Sequence, residues 1–186
     1  MVKAHAKEIE DILLQNAIIG YSDSSKLDSQ GTGAGIYLIN GTTFSKTCIE
    51  YLYYLGRHIE AYDAELLAIL KTLQLSLKVV ERSIDKHVSV YIYSDSAAAI
   101  QRLQNHLQVG PGFSIVSQCI SIAQKLVEKR AKVSITWISS HIGIPGNEKA
   151  DELAKRAAQS QRPTPYIKVS LTNIRRRLNS SILEKW

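Results

Sequence analysis

The segment VSVYIYSDSAAAIQRLQNHL (88–107) decides the fold. Its first part, VSVYIYSD (88–95), is rich in Val, Ile and Tyr, which suits a buried strand, and it ends in an acid. Its second part, SAAAIQRLQNHL (96–107), places Ile100, Leu103 and Leu107 on one helical face. A strand that passes through an aspartate into a helix is one unit of an α/β architecture. Near the chain start, AIIGYSD (17–23) is a second apolar run that ends in an acid.

Working outward from that unit, DAELLAILKTLQLSLKVV (63–80) repeats Leu66, Ile69, Leu70, Leu73 and Leu77 at helical spacing. Before it, GIYLIN (35–40) and TTFSKTCI (42–49) flank Gly41 as the arms of a hairpin. YLYYLG (51–56) extends that sheet as another strand, SSKLDSQGTGAG (24–35) reads as a turn-rich loop, and residues 3–15 read as a short helix. Downstream of the Gly110-Pro111-Gly112 break, SIVSQCISIAQKLVEKR (114–130) is a helix with Ile115, Cys119, Ile122 and Leu126 in register. KVSITWIS (132–139) is a strand, SHIGIPGN (140–147) a loop and EKADELAKRAAQ (148–159) a helix. The order β-β-β-α-β-α-α-β-α predicts an α/β fold, a five-stranded mixed sheet flanked by helices on both faces. QRPTP (161–165) reads as a linker. The expected organisation is an N-terminal helical extension (1–16), a catalytic domain (17–160) and a basic C-terminal tail (161–186).

Composition narrows the classes. The chain has 186 residues, 45% hydrophobic and 22% charged, an ordinary globular balance. Its net charge of +6 is unevenly placed. Residues 162–186 hold six basic residues against Glu184 alone, so the remaining body is close to neutral. The body is therefore expected to bind a polyanion weakly and in a salt-sensitive way, with the tail as a separate anchor. Cys48 and Cys119 form no metal or disulfide framework, which suits a reducing compartment. MVKAHAKEIEDILLQ at the N-terminus is amphipathic and mixed in charge, unlike a signal peptide. The most apolar stretch, 64–80, is interrupted by Lys71, Gln74 and Lys78, so no membrane span is expected. The expectation is an intracellular monomer, nuclear or cytoplasmic.

Four acids draw attention. Asp23 and Asp95 close two apolar strands, and ligand sites of open α/β sheets lie at strand carboxyl ends. Glu65 starts the strongest helix, and Asp151 lies about one turn into the last one. Taken singly, Glu65 is also explained as a dipole-favourable first-turn acid and Asp151 as a solvated helix-face acid. Taken together, crowded carboxylates repel one another unless hard divalent cations neutralise them. Two such ions about 4 Å apart activate a water and stabilise the leaving oxygen of a phosphodiester. Oxygen-only ligands suit Mg2+, with Mn2+ as a substitute, and no thiolate–imidazole set for zinc is present.

The blocks IIGYSDSS, DAELLAI, YIYSDS and TWISSHIGIPGNEKADELAK resemble the signatures of the type 1 ribonuclease H family, over roughly residues 17–160. More narrowly, they resemble the ribonuclease H domain of non-LTR (LINE-like) retrotransposon polyproteins of fungi. The last block is the most specific, with Trp137, His141, Gly143, Pro145, Gly146, Asn147 and Asp151 at family spacing. The resemblance implies a ribonuclease H-like fold in which Asp23, Glu65, Asp95 and Asp151 hold two Mg2+ ions. It implies that His141 assists proton transfer or product departure, and that Ser24, Ser25 and Asn147 lie at the substrate. The implied reaction is endonucleolytic hydrolysis of the RNA strand of an RNA–DNA hybrid, leaving 3′-hydroxyl and 5′-phosphate ends. The implied partner is a reverse transcriptase domain in a larger polyprotein.

The chain also departs from the family pattern. Asp-Gly-Ser at the first acid is here Asp23-Ser24-Ser25, a side chain where close backbone approach favours none. Ala61, Tyr62 and Asp63 stand where cellular bacterial members carry an Asn before the glutamate. The basic, Trp-rich protrusion is missing, with only Arg102 between residues 100 and 124. Gly31, Gly33 and Gly35 are expected to let the backbone approach a minor groove. His5, His58, His87 and His106 read as surface or structural residues. Trp137 reads as core, and the tyrosines of YLYYLG as sheet packing rather than base-stacking platforms. Two other functions share the fold: a nucleic-acid-binding or tethering domain that has lost activity, and a DNA transposase or exonuclease. The intact set of four acids with His141 argues against the first, and the placement of Glu65 with the His141 loop against the second.

Overall fold

Alternation of side chains along β1 (Ala17–Leu27) sorts the molecule into two layers. Ile18 joins the larger apolar cluster on one face, while Ile19 and Tyr21 join a second cluster on the other. The computed structural model describes residues 5, 8, 9, 11, 12, 16–41, 46–83 and 88–160. Beside β1 stand β2 (Gly31–Gly41), β3 (Lys46–Gly56), β4 (Ser89–Ser94) and β5 (Lys132–Trp137), in the order β3-β2-β1-β4-β5. β1, β2 and β3 are antiparallel, and β1, β4 and β5 are parallel. Helices α1 (Ala61–Arg82), α2 (Ala97–Gln104) and α3 (Phe113–Glu128) cover the first face. Helix α4 (Pro145–Ser160) and the buried N-terminal residues His5 and Ile9 cover the second. The predicted five-stranded mixed sheet with helices on both faces is the observed fold.

Small residues bring both layers close. On the α1 face, a Cβ at Gly20 would stand 2.4 Å from the Thr72 methyl. On the α4 face, a Cβ at Gly35 would stand 2.0 Å from the Ala150 carbonyl, and one at Gly33 would stand 2.3 Å from the Ala158 amide. The α4 residues facing them are small: Ala150, Ala154, Ala157 and Ala158 are fully buried. The glycines at 31, 33 and 35 are therefore not a minor-groove platform. Gly33 and Gly35 are covered by α4, and Gly31 lies against the Tyr54 ring.

Several boundaries differ from the sequence reading. Residues 24–35 are not a loop: β1 runs to Leu27, a turn closed by Gln30 N–H on Leu27 O at 3.0 Å follows, and β2 starts at Gly31. Ser24 pairs with Ala34 and Ser25 with Gly33, because a central strand must satisfy its backbone groups in the ladder whatever its turn propensity. β3 is one strand that joins the ends of two predicted ones, and residues 42–45 lie outside the described residues. α2 stops at Gln104, so Leu107 is 86% exposed instead of completing an apolar face. The Arg102 guanidinium holds the following segment by donating to the carbonyls of Asn105, Gln108 and Pro111. α4 starts at Pro145, a residue suited to a first helical position, which puts Asp151 in its second turn.

Tyr53 packs against the larger cluster as expected, and the Tyr54 hydroxyl donates to Gln30 O at 3.0 Å, whereas Tyr51 is exposed. Trp137 is not core: it is 50% exposed. β5 is an edge strand whose Val133 and Ile135 pack on the core, and residue 137 ends it. The tail (161–186) and His87 lie outside the described residues. Among the described residues, no helix is long and apolar enough to cross a membrane.

Candidate active site

The parallel pairing of β1 and β4 ends at Ser22 and Ser94, so the residues that follow, Asp23 and Asp95, emerge side by side. β1 continues past this point paired only with β2, where Asp23 faces Gly35. Asp23 is therefore inside a strand, not at its end, yet it marks where the parallel part of the sheet stops. Glu65 enters from the second turn of α1. Asp23, Glu65 and Asp95 each bring a carboxylate oxygen within 4.8 Å of the others.

Such crowding is visible in the proton affinities. Burial, with Asp95 next in importance, pushes the Asp23 carboxyl up to about 7, and the Ser24 N–H pulls it back. Burial pushes Glu65 up to about 8 against the pull of the Ser24 hydroxyl, with Asp23 and Asp95 adding to the rise. Glu65 Oε2 is buried and accepts no hydrogen bond. An oxygen-only donor set with an unpartnered buried oxygen fits a hard divalent cation.

Asp151 approaches from α4 and is close enough to raise the proton affinity of Asp23. Its carboxylate pairs with Lys155 one turn on. It also belongs to a second group, with His141 and Glu148, whose donor atoms lie within 4.8 Å of one another. His141 is exposed on the loop between β5 and α4, with φ of 52°. Glu148 accepts from Gly143 N–H at 3.3 Å, which ties that loop to the first turn of α4.

Two residues expected at the substrate hydrogen-bond to the acid cluster. Asn147 is 3% exposed, and its Nδ2 donates to Asp95 Oδ2 at 3.2 Å, while its Oδ1 is buried without a partner. The Ser24 hydroxyl donates to Glu65 Oε1 at 2.6 Å. Ser25 is half-buried in β1 opposite Gly33. The Trp137 indole N–H donates to Asp95 O at 3.0 Å, which fixes the backbone of that acid from the edge strand. Sequence reasoning missed Glu148 and Lys155, although their spacings of three and four residues from Asp151 put them on its helix face.

Known proteins share the family and the fold of this chain. A family model described as RNase H matches residues 15–159. The RNase H1 of the halophilic archaeon Halobacterium salinarum is 19% identical, with a TM-score of 0.56, covering 77% of this chain and 98% of that one. LC11-RNase H1, isolated from compost by a metagenomic approach and solved with an RNA/DNA hybrid, is 22% identical with a TM-score of 0.54. That likeness covers 77% of this chain and 97% of the other. The foamy viral protease-reverse transcriptase, solved with an RNA/DNA hybrid, is 21% identical with a TM-score of 0.59, covering 80% of this chain and 21% of that one. No curated protein matches. The family model spans every strand of the sheet, all but the last residue of α4 and all three acids of the β1–α1–β4 cluster, and the chain belongs to the RNase H family of hydrolases.

Proposed function

We propose that this chain hydrolyses the RNA strand of RNA–DNA hybrids, with two divalent cations held by Asp23, Glu65, Asp95 and Asp151. The observation that carries this reading is the convergence of three carboxylates from β1, β4 and α1, with a fourth from α4 beside them. When bound, Mg2+ supplies charge for the transferring phosphate and lowers the pKa of a water.

The protein's own part is to deliver oxygens and remove protons. Asp23 and Glu65 bind protons near neutrality, so occupation of the site releases them and is favoured as pH rises. Asn147 and Trp137 hold the side chain and backbone of Asp95, so it does not swing away from its neighbours. His141, exposed at the mouth on a loop anchored by Glu148, exchanges a proton with the departing end of the cleaved strand. The hybrid as substrate is supported by the family match and by the hybrid-bound LC11 and foamy viral structures of the same fold. A role beside a reverse transcriptase in a retroelement polyprotein is supported by the sequence resemblance. A tethered polymerase would raise the effective concentration of hybrid for a body of nearly neutral charge.

The test is cleavage of an end-labelled RNA–DNA hybrid by the purified chain with Mg2+, beside duplex DNA and duplex RNA. RNA-strand cleavage of the hybrid alone is expected, lost in Asp23→Asn and in Asp95→Asn. Soluble, folded protein that binds hybrid without cutting it would reverse the reading in favour of a tethering domain. Cutting of duplex DNA would favour the transposase-like one.

A further inference from the structure

Side chains alternate along β1, so adjacent residues serve opposite layers. Asp23 shares the parity of Ile19 and Tyr21, which pack in the smaller cluster; Ser24 shares that of Ile18, in the cluster built around α1. Ser24 therefore meets the helix that carries Glu65. Its hydroxyl donates to Glu65 Oε1 at 2.6 Å, within the short range of hydroxyl–carboxylate bonds, and its N–H donates to Asp23 Oδ1 at 2.7 Å. One residue thus holds two of the three clustered carboxylates. It also sorts the oxygens of Glu65: Oε1 is engaged, and Oε2 stays buried and unpartnered.

We propose that Ser24 is a positioning residue for cation binding, its hydroxyl holding Glu65 in the ligating rotamer before the ion arrives. The proposal rests on the reading of the Asp23–Glu65–Asp95 cluster as a divalent-cation site. Without the hydroxyl, a Glu side chain repelled by two neighbouring carboxylates turns away, and its rotamers must be ordered again on binding. A glycine at this position keeps the N–H to Asp23 and has nothing to offer Glu65. The hydroxyl proton is committed to the carboxylate.

The test measures Mn2+ binding to the full chain without nucleic acid, by calorimetry or by the paramagnetic resonance of free Mn2+. It compares the parent with Ser24→Ala, Ser24→Gly and Ser24→Thr. Ala and Gly are expected to weaken binding about tenfold, the low end of what losing a partner of a metal ligand costs. Thr, which keeps a hydroxyl on Cβ, is expected to stay within about twofold of the parent. In cleavage assays, the Mg2+ concentration for half-maximal rate should rise about tenfold in Ala while the rate at saturating Mg2+ stays within about threefold. Parent-like binding by Ala or Gly, or a Thr variant as weak as Ala, would overturn the role of the hydroxyl and leave the cation site standing. A parent chain that binds no Mn2+ would overturn the cation site, and the role of Ser24 with it.

Discussion

Replacing Gly35 with Ala tests whether α4 reaches the site by direct contact with β2. The added Cβ would meet Ala150 O at 2.0 Å, Ala154 N at 2.3 Å and Leu153 C at 2.9 Å, where ordinary contact begins at 3.4 Å. The shortfall at the carbonyl is about 1.4 Å, and all three atoms are backbone, so no rotamer change relieves it. α4 must lift from the sheet. Overpacking of this kind costs about 3 kcal/mol, the upper part of its usual range. For a chain of this size that lowers the unfolding midpoint by about 6–12 °C. Ala150 precedes Asp151, so the lift also carries the fourth acid away from Asp23. A displacement of about 1 Å at a catalytic group costs roughly 100-fold in rate. Thermal unfolding by circular dichroism and single-turnover cleavage of a labelled hybrid read the two effects separately. A variant that unfolds within about 1 °C of the parent and cuts at the parent rate would refute the claim that Gly35 sets the approach of α4.

Other outcomes follow from the same geometry. Asp23 and Glu65 keep protons that the unfolded chain gives up near 3.8 and 4.5, so their contribution to stability is lost as pH rises through about 7 and 8. Metal-free protein should therefore unfold at a falling temperature from about pH 4 to about pH 8, Asp23→Asn should flatten the slope, and added Mg2+ should restore stability at the alkaline end but not at the acid end. Asn147→Ala should lower cleavage roughly 10- to 100-fold by freeing Asp95, as measured by steady-state kinetics at saturating Mg2+. An unchanged rate would return Asn147 to a packing role. His5→Ala should cost about 1–3 kcal/mol in denaturant unfolding, because it leaves the Tyr21 hydroxyl without its partner at 2.9 Å and opens a packed ring cluster with Tyr93. No loss of stability would mean that the N-terminal segment is an appendage after all.

Much of this fold is legible in local pattern. β4, β5 and α1 stand out because Val, Ile and Tyr runs and a leucine periodicity each match one element type. The convergence of Asp23 and Asp95 follows from two parallel strands ending their pairing together. What misleads is composition without topology. Ser, Gly and Asp between residues 24 and 35 have turn propensities, but β1 and β2 are internal strands and the ladder overrides them. Gly33 and Gly35 look like groove-contact residues until the helix that lies on them is placed, a contact more than a hundred residues away in sequence. Ser24 and Asn147 are in the right neighbourhood but aimed at carboxylates, and side-chain direction is a property of the three-dimensional packing. Trp137 alternates like a core residue, yet an edge strand has no cover at its end.

The acids of the site are assembled by packing, against their own repulsion. Asp23 and Glu65 resist ionisation because burial and neighbouring carboxylates disfavour their charge. Lys155, paired with Asp151, eases this at Asp23 from a distance. What holds the elements together is close helix–sheet contact between uncharged residues. Thr72 sits on Gly20 two turns along α1 from Glu65, and the alanines of α4 sit on Gly33 and Gly35 beside Asp151. Because Gly20 abuts the Thr72 methyl and Gly33 and Gly35 abut the backbone of α4, these contacts leave α1 and α4 little room to relax away from the cluster. Rigid elements thus hold the Asp23, Glu65 and Asp95 carboxylates together, and a cation at the proposed site would gain by relieving their repulsion. The near-neutral charge of the body fits the proposed cation site, whose ions would supply positive charge toward a polyanion.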